Sequence, residues 1–528
     1  MNKKKKIGLV IALVLLCVVS VFAFLKAFSM YRNTHRKLDN IITLSSTKAS
    51  SAPETQTSKD SLTLFVNQEP VVLTLDGSGA EYDCFTLNTE FETIITTKDN
   101  THEILINGVP MDNQVASLKL DSISAADRIT VTVDGQEYYL RTLPEDFPDL
   151  TPLGESSKDG YFYTTMGTFV VKFDKKGQVV FYRRASATNA GPFRRTEVDG
   201  EVLYSYLEGR SSKEHPFLTG IGYRTTALII LNEQYQKIDE VPYMAETEKV
   251  PANYPLENHD HLILGKGHYI LTTYVGKKVN NIPASLDGSE YGANVVACIF
   301  QEIKDGKCIF EWDSTDHPEL YEASLEAGDY TNVTRLWSDY AHFNSIIIDP
   351  KDNNFICSYR DLDSILKIDR ETGEILWFLG GKFDDFNLTE EQQFHRQHNA
   401  TLTEDGSILL FDNGCRTNIL GYPVLSAEEQ SEGERTQHSR GLKLVIDEDK
   451  KEVIDFEEYT VDGFYSASMG SAQLLDDATD TALLGWGGKS KAGMPLFTEV
   501  NCSEKTINFE MLCGDSGINC YRVTHYDK

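Results

Sequence analysis

Two histidines and one arginine in this 528-residue chain pair reactive side chains with a repeated position. His342 in YAHFNSIIID and His398 in RQHNATL each stand where an apolar run begins, and both runs end at a turn, PKDNN and TEDGS. Between them, Arg360 lies in FICSYRDLDSILKID, a strand-like stretch bounded by turns. His259 and His261 in ENHDHLILG hold the same position earlier in the chain, and Ser466 and Ser468 in YSASMGSAQLL hold it later. A neutral imidazole attacks without first losing a proton, and its ordinary pKa near 6.5 lets it also exchange protons near neutrality. A guanidinium keeps its charge and offers a fork of donors that fits two oxygens of one anion. Together they suit the handling of a tetrahedral anionic group. Asn344 and Asn413 sit close by in sequence and are read as lining the same place, or as satisfying turns.

What must position these residues is a set of strands. From about residue 150 onward one grammar repeats six times: apolar strand, turn, apolar strand ending in polar residues, connection, strand, acidic or Gly turn, strand. DGYFYTTMGTFVVKFDKKGQVVFYRRA opens the series and SASMGSAQLLDDATDTALLGWGG begins its last unit. Four strands per unit, six times, predict a six-bladed β-propeller over 150–528, with the histidines at the mouths of inner strands around one funnel. Arg360 would reach His342 if the hairpin register brings their ends together. Residues 62–143 read as short alternating runs punctuated by DG, NG and DN, which predicts a small β-sandwich serving as a spacer or oligomerisation module, with a homodimer the expected assembly. TEEQQ and LSAEEQ are at most surface turns of helix. The fold class expected is therefore all-β.

Composition narrows the partners. An apolar share of 41% supports a substantial core. The net charge is −30, and beyond residue 40 the chain carries 42 basic against 79 acidic residues. Such a surface excludes nucleic acid, whose binding rests on Lys and Arg at phosphates. An anionic substrate must be drawn by a local positive site.

The N-terminus opens on Lys3–Lys6 (segment 1–6, a basic cytoplasmic tail), then nineteen uncharged residues, Ile7 to Leu25, then Lys26. That run is long enough to cross a bilayer, and it exceeds the usual signal-peptide core of about 7–15 residues. It is read as an uncleaved transmembrane anchor, with a cleaved signal as the alternative, so the rest lies outside the cytoplasmic membrane. The Ser/Thr-rich remainder of 26–61 is a stalk. Nine cysteines without a CxxC pair do not suggest zinc. One bridge among Cys502, Cys513 and Cys520 is expected near the C-terminus, while Cys298 and Cys357 read as small buried apolar residues.

AHFNS, SYRDLDSILKID with TGEILW, and QHNATL followed by LLFDNG resemble the arylsulfate sulfotransferase family, exported bacterial enzymes that need no nucleotide sulfate donor. The resemblance covers about 150–528 and is strongest over 340–416. It implies a six-bladed propeller that moves a sulfuryl group from a phenolic sulfate donor to a phenolic acceptor through a sulfated histidine, with no cofactor and no metal. It implies His398 as nucleophile, His342 and Arg360 as sulfate-binding groups, and His259 as the third histidine, with His261 the alternate. His261, Asn344, Asn413 and Ser468 are the further residues expected at the substrate. Compared with better-known members, the interval between His342 and His398 is short, which bears on acceptor preference.

Simpler readings accompany these. A lone histidine at a strand edge is usually a structural hydrogen-bonding group. Arg360 beside Asp361 and Asp363 could be a surface ion pair. His268, His317, His395, His438 and His525 are expected at surfaces or turns. Two other functions fit the same residues: a metal-dependent hydrolase or lyase ligated by His259, His261, His342 and His398, or a non-catalytic cell-surface scaffold. A serine hydrolase has no GxSxG elbow to support it.

Overall fold

The structure is a computed structural model that describes most of residues 61–527. Outside the described set lie 1–60, 67–68, 78–80, 84–92, 119–128, 142–145, 186–189, 211–221, 327–329, 332–336, 416–437 and a few single positions. The anchor and stalk, 1–60, therefore lie outside the described residues, and so does LSAEEQ. No helix among the described residues is long and apolar enough to cross a membrane.

The described chain is all-β, arranged as eight small sheets. Two of them come from 61–141. One orders its strands Glu69–Thr74, Ser61–Val66, Thr93–Thr97, Val115–Leu118, and the other is built on Gln136–Arg141 and Ile129–Val133. Strict alternation explains the pairing: Ser61–Val66 buries every second residue, as do Thr93–Thr97 and Ile129–Val133. Leu62, Leu64, Ile95, Ile106, Val131 and Leu140 from both sheets share one core.

The other six sheets come from 150–526. Sheet two runs Phe193–Val198, Glu201–Gly209, Thr226–Leu231, Lys237–Val241, and sheet three runs His261–Gly265, His268–Val279, Ala293–Lys304, Lys307–Asp313. Sheet four is Phe343–Ile348, Phe355–Tyr359, Ser364–Ile368, Ile375–Leu379, and sheet five is His398–Leu402, Ile408–Asp412, Arg440–Asp447, Glu452–Tyr459. Sheet six holds Ser471–Asp476, Thr481–Gly485, Met494–Asn501 and Thr506–Cys513, with Leu150–Gly154 added outside. Sheet one is assembled from both ends of the region: Tyr161–Met166, Phe169–Asp174 and Val179–Arg184 are completed by the C-terminal strand Cys520–Tyr526. Every ladder within these six sheets is antiparallel.

The edge strands of consecutive sheets touch in a cycle. Cys520–Tyr526 contacts Phe193–Val198, which contacts His261–Gly265, followed by Phe343–Ile348, His398–Leu402, Ser471–Asp476 and Cys520–Tyr526 again. The arrangement is propeller-like, and each sheet is packed on both faces. Middle strands show it: Phe355–Tyr359, Ser364–Ile368 and Ile408–Asp412 are buried throughout. Each such Leu, Ile or Phe side chain contributes about 1.5–3 kcal/mol on burial.

Two expectations need correction. The cysteines described as side chains are all free thiols, so the C-terminal bridge is not formed. Cys520 sits on the strand that completes sheet one, with Sγ 3.3 Å from Thr164 Oγ1, whereas Cys513 ends a strand of sheet six. His525 is buried, because it lies on that same closing strand and packs on Phe162. Among the described residues the α-helix is Glu319–Ala323, a single turn after Pro318, while TEEQQ forms a turn.

Candidate active site

His342 and His398 are delivered by one local device used twice. The chain enters sheet four with His342 at φ +54°, and pairing with the next strand shifts register between Phe343 and Ser345. It enters sheet five with Arg396 and Asn399 at φ +58° and +54°, and register shifts between His398 and Thr401. Left-handed backbone at non-glycine residues costs of order 1 kcal/mol or more, and a bulge re-aims the side chain beside it. Both turn a residue that would alternate with its strand toward the centre of the ring.

The hairpin of sheet four then supplies Arg360. Phe343 pairs with Tyr359, so the next residue lies opposite His342. The Arg360 N–H donates to His342 O at 2.8 Å, and the Asp361 N–H donates to Ala341 O at 3.0 Å. Around them is a network of charges. His342 Nδ1 meets Asp339 Oδ2 at 2.6 Å, and Arg360 donates to Asp361. Arg396, fully buried, donates to Asp361 at 2.8 Å and pairs with Glu326. Burial alone would push His342 down, but the carboxylates of Asp339 and Asp361 outweigh it and hold the imidazole above its ordinary value. Asp361 is held below the usual carboxylate range: burial opposes this, and Arg360, His342 and Arg396 overcome it.

His398 has a neutral setting. Its Nδ1 lies 2.7 Å from Asn413 Oδ1 and 3.0 Å from Arg396 O. Asn413 Nδ2 donates to Ser466 O at 2.8 Å and to Met469 O at 3.0 Å, so the amide must turn its oxygen to the imidazole. The Met469 N–H points at His398 Nε2 from 3.2 Å. An amide donor on Nε2 and two acceptors at Nδ1 define the tautomer: the proton sits on Nδ1 and the lone pair on Nε2. Burial pushes His398 well below its ordinary pKa, with Arg360 adding to the effect, and His342 and His259 after it. Met469 has φ +63°, and Gly470 follows at φ +100°, where a Cβ would fall 2.5 Å from the Phe411 ring. Glycine is required there if the loop is to pass that close.

Of the two histidines in ENHDHL, His259 faces this cluster. Its ring lies 5.1 Å from that of His342 at 80° and is stacked on Tyr274 at 5.5 Å, while Glu257 accepts from its backbone N–H at 2.7 Å and also pairs with Nδ1. His261 is buried elsewhere, with Nε2 2.8 Å from Ser205 Oγ. Burial first, then Arg194, lowers its pKa to about 3. Strand alternation separates the two: residues two apart share a face only inside a strand, and His259 precedes the strand that begins at His261.

The remaining expected residues take positioning roles. Asn344 spends its amide donor on Gln397 O at 2.7 Å, which ties sheet four to sheet five beside His398. Asn413 orients His398. Ser468 accepts at its carbonyl from Ser466 Oγ at 3.0 Å, bracing the loop that carries Met469. His395 is hydrogen-bonded to Asp363 at 2.9 Å. Arg360 is not a surface ion pair: Asp361 is buried and Arg360 nearly so. Sequence reasoning missed Glu257, Asp339, Arg396 and the Met469 amide. An acidic residue two or three places before each of His259 and His342 was the available signal. Nothing in the sequence pointed to a backbone N–H.

Asp339, His342 and Asp361 are the described group of His, Cys or acidic residues whose ligand atoms lie within 4.8 Å of one another. Imidazole and two guanidinium groups already occupy that group's carboxylates. His259, His261 and His398 do not join it, so the four histidines do not form one ligand set.

Fold and site together define an all-β, propeller-like protein whose imidazoles and guanidinium face one another across neighbouring sheets. A family model described as "Arylsulfotransferase (ASST)" matches residues 153–522, and the chain belongs to that family. Membership supports aryl sulfotransferase activity in general, with phenolic sulfate donors and acceptors. No curated protein matches the chain. Among solved structures, it is similar to a Bacteroides caccae protein of unknown function at 9% identity and TM-score 0.37, covering 70% of this chain and all of that one. It is similar to a periplasmic gluconolactonase of Pseudomonas aeruginosa at 10% identity and TM-score 0.32, covering 68% of this chain and 99% of that one. A Myceliophteria thermophila β-propeller domain gives 10% identity, TM-score 0.29 and coverage of 70% and 100%. These likenesses are too distant to bear on function.

Proposed function

We propose that the six sheets are blades of a closed six-bladed β-propeller over 150–528, and that it transfers a sulfuryl group between phenols by a ping-pong mechanism through His398. The observation that carries the proposal is the wiring of His398, which leaves a lone pair on Nε2 beside the Arg360 guanidinium and the His342 imidazole. In the first half-reaction Nε2 attacks sulfur and the Nε2–S bond forms as the S–O bond to the aryl oxygen breaks. The phenolate leaves with that electron pair and takes up a proton, a role assigned here to His259. Arg360 and His342 hold the sulfuryl oxygens, and the Met469 N–H, released from Nε2, turns to one of them. In the second half an acceptor phenol gives its proton back to His259 as its oxygen bonds to sulfur, and Nε2–S breaks with the electron pair returning to Nε2. No cofactor enters either step. We further read 7–25 as a single-pass anchor that places the propeller outside the cytoplasmic membrane, with 62–143 as the spacer and homodimer contact.

A chromogenic aryl sulfate tests the reading. Phenol-stimulated release of the chromophore, with parallel-line kinetics, is expected. Release that ignores added phenol would point to a hydrolase, and no release at all to a scaffold.

A further inference from the structure

A cavity of about 770 Å3 opens at the far ends of the inner strands, away from the histidines. Chain direction places it there. His398 begins its strand at the active site, whereas Thr401 to Asp405, at the strand's other end, line the cavity. Along the closing strand, Tyr521 lies 6.1 Å from the His259 ring, while Thr524 and Tyr526 line the cavity. Between the two stand Arg522 and Arg194, which meet at Asp260.

That junction is short of acceptors. Asp260 Oδ1 accepts from Arg194 and from the His261 N–H at 2.9 Å, and Oδ2 accepts from the Ile346 N–H at 3.1 Å. Arg522 Nη1 lies 3.2 Å from Asp260 Oδ2 without making a hydrogen bond, and Arg522 is only 4% exposed. Among the described residues Arg522 Nε and Nη1, Arg194 Nε and Thr524 Oγ1 are buried without a hydrogen-bond partner, and all three residues line the cavity. His261 is neutral here, so two guanidinium groups face one carboxylate. A buried positive charge with unused donors is costly unless an anion meets it. Of the acids lining the cavity, Asp476 is paired with Lys158 at 2.6 Å and Asp477 with Lys443 at 2.7 Å, and Asp405 lies 3.6 Å from the same Lys443. Glu404 and Asp527 are exposed at the rim, and none of these contacts brings an acid to Arg522 or Arg194.

We propose that this cavity is a second anion site, separate from the transfer site, in which Arg522, Arg194 and Thr524 bind a small tetrahedral oxyanion. It stands whether or not the transfer mechanism does. Equilibrium dialysis of the full chain with radiolabelled inorganic sulfate, at constant ionic strength in chloride, provides the test. Arg360→Ala removes the transfer site as a binder and is expected to retain one equivalent. Adding Thr524→Val should weaken that equivalent about tenfold, the effect of losing one hydrogen bond to a charged group, and Arg522→Lys should abolish it. Thr524→Val alone should transfer sulfuryl groups at the wild-type rate. If Arg522→Lys does not fold, as judged by its melting curve, Thr524→Val carries the test. The proposal is overturned if Arg360→Ala binds no sulfate, or if binding is indifferent to Thr524→Val. Displacement of the label by acetate as readily as by phosphate would also overturn it, since the ligand would then be a carboxylate.

Discussion

Sheets four and five bring their histidines to one place by the same backbone device, yet surround them with opposite chemistry. His342 sits among fixed charges: Asp339 on its Nδ1, Arg360 and Asp361 on the adjoining turn, and Arg396 behind. His398 sits among dipoles: the Asn413 amide, a carbonyl, and the Met469 N–H. Burial is nearly equal, so it cannot explain why one imidazole is held above its ordinary pKa and the other well below. Partners decide. A charged half suits holding an anion, and a neutral half suits keeping a nucleophile unprotonated beside that charge.

Breaking the neutral half should cost most. His398→Ala is expected to lower phenol-dependent transfer by roughly a thousandfold or more with the melting temperature little changed, because no other group offers the attacking nitrogen. Breaking the charged half comes next. Arg360→Lys keeps the charge but loses the fork, and a loss of about a hundredfold in kcat/KM is expected, as for removal of one oxyanion donor. A smaller effect would move the sulfuryl-binding role away from Arg360.

Asn413→Leu sharpens the contrast. It frees the tautomer without touching the nucleophile, and a drop of tens of fold in kcat with little change in KM should follow. Asp339→Asn addresses the pH profile. His342 needs its proton to hold the anion, and its raised pKa means activity should fall as pH rises past that value. With the carboxylate gone the falling limb should move to lower pH; an unmoved limb would show that His342 is not the titrating group.

The sequence made some of this legible and hid the rest for identifiable reasons. Strand periodicity and turn residues marked the six units, and the spacing of His342 from Arg360 fitted a hairpin whose register indeed joins them. The closing strand was not legible, because Cys520–Tyr526 pairs with Tyr161–Met166 across nearly the whole ring and local pattern carries no pairing information. The choice between His259 and His261 depended on where the strand starts, a boundary that pattern fixes poorly. Arg396 and the Met469 N–H escaped notice because each acts through a left-handed backbone that no residue type announces.

A contrast in stability rather than rate sets His342 against His261. His261 is folded neutral with a pKa near 3, while the unfolded chain takes up the proton near 6.5. Its stabilising share is therefore complete above 6.5 and is lost as pH falls, by about 3 kcal/mol at pH 4. His342, raised, contributes stability below 6.5 that is lost as pH climbs through its folded pKa. Melting curves from pH 4 to 8 should show His261→Gln flattening the acid side alone.

Mass mapping of the enzyme after brief exposure to excess aryl sulfate without acceptor addresses the central claim most directly. A sulfuryl adduct on the peptide containing His398, lost on adding phenol and missing in Arg360→Ala, is the expected result. An adduct on another residue, or turnover with none formed, would contradict a sulfated histidine at this site.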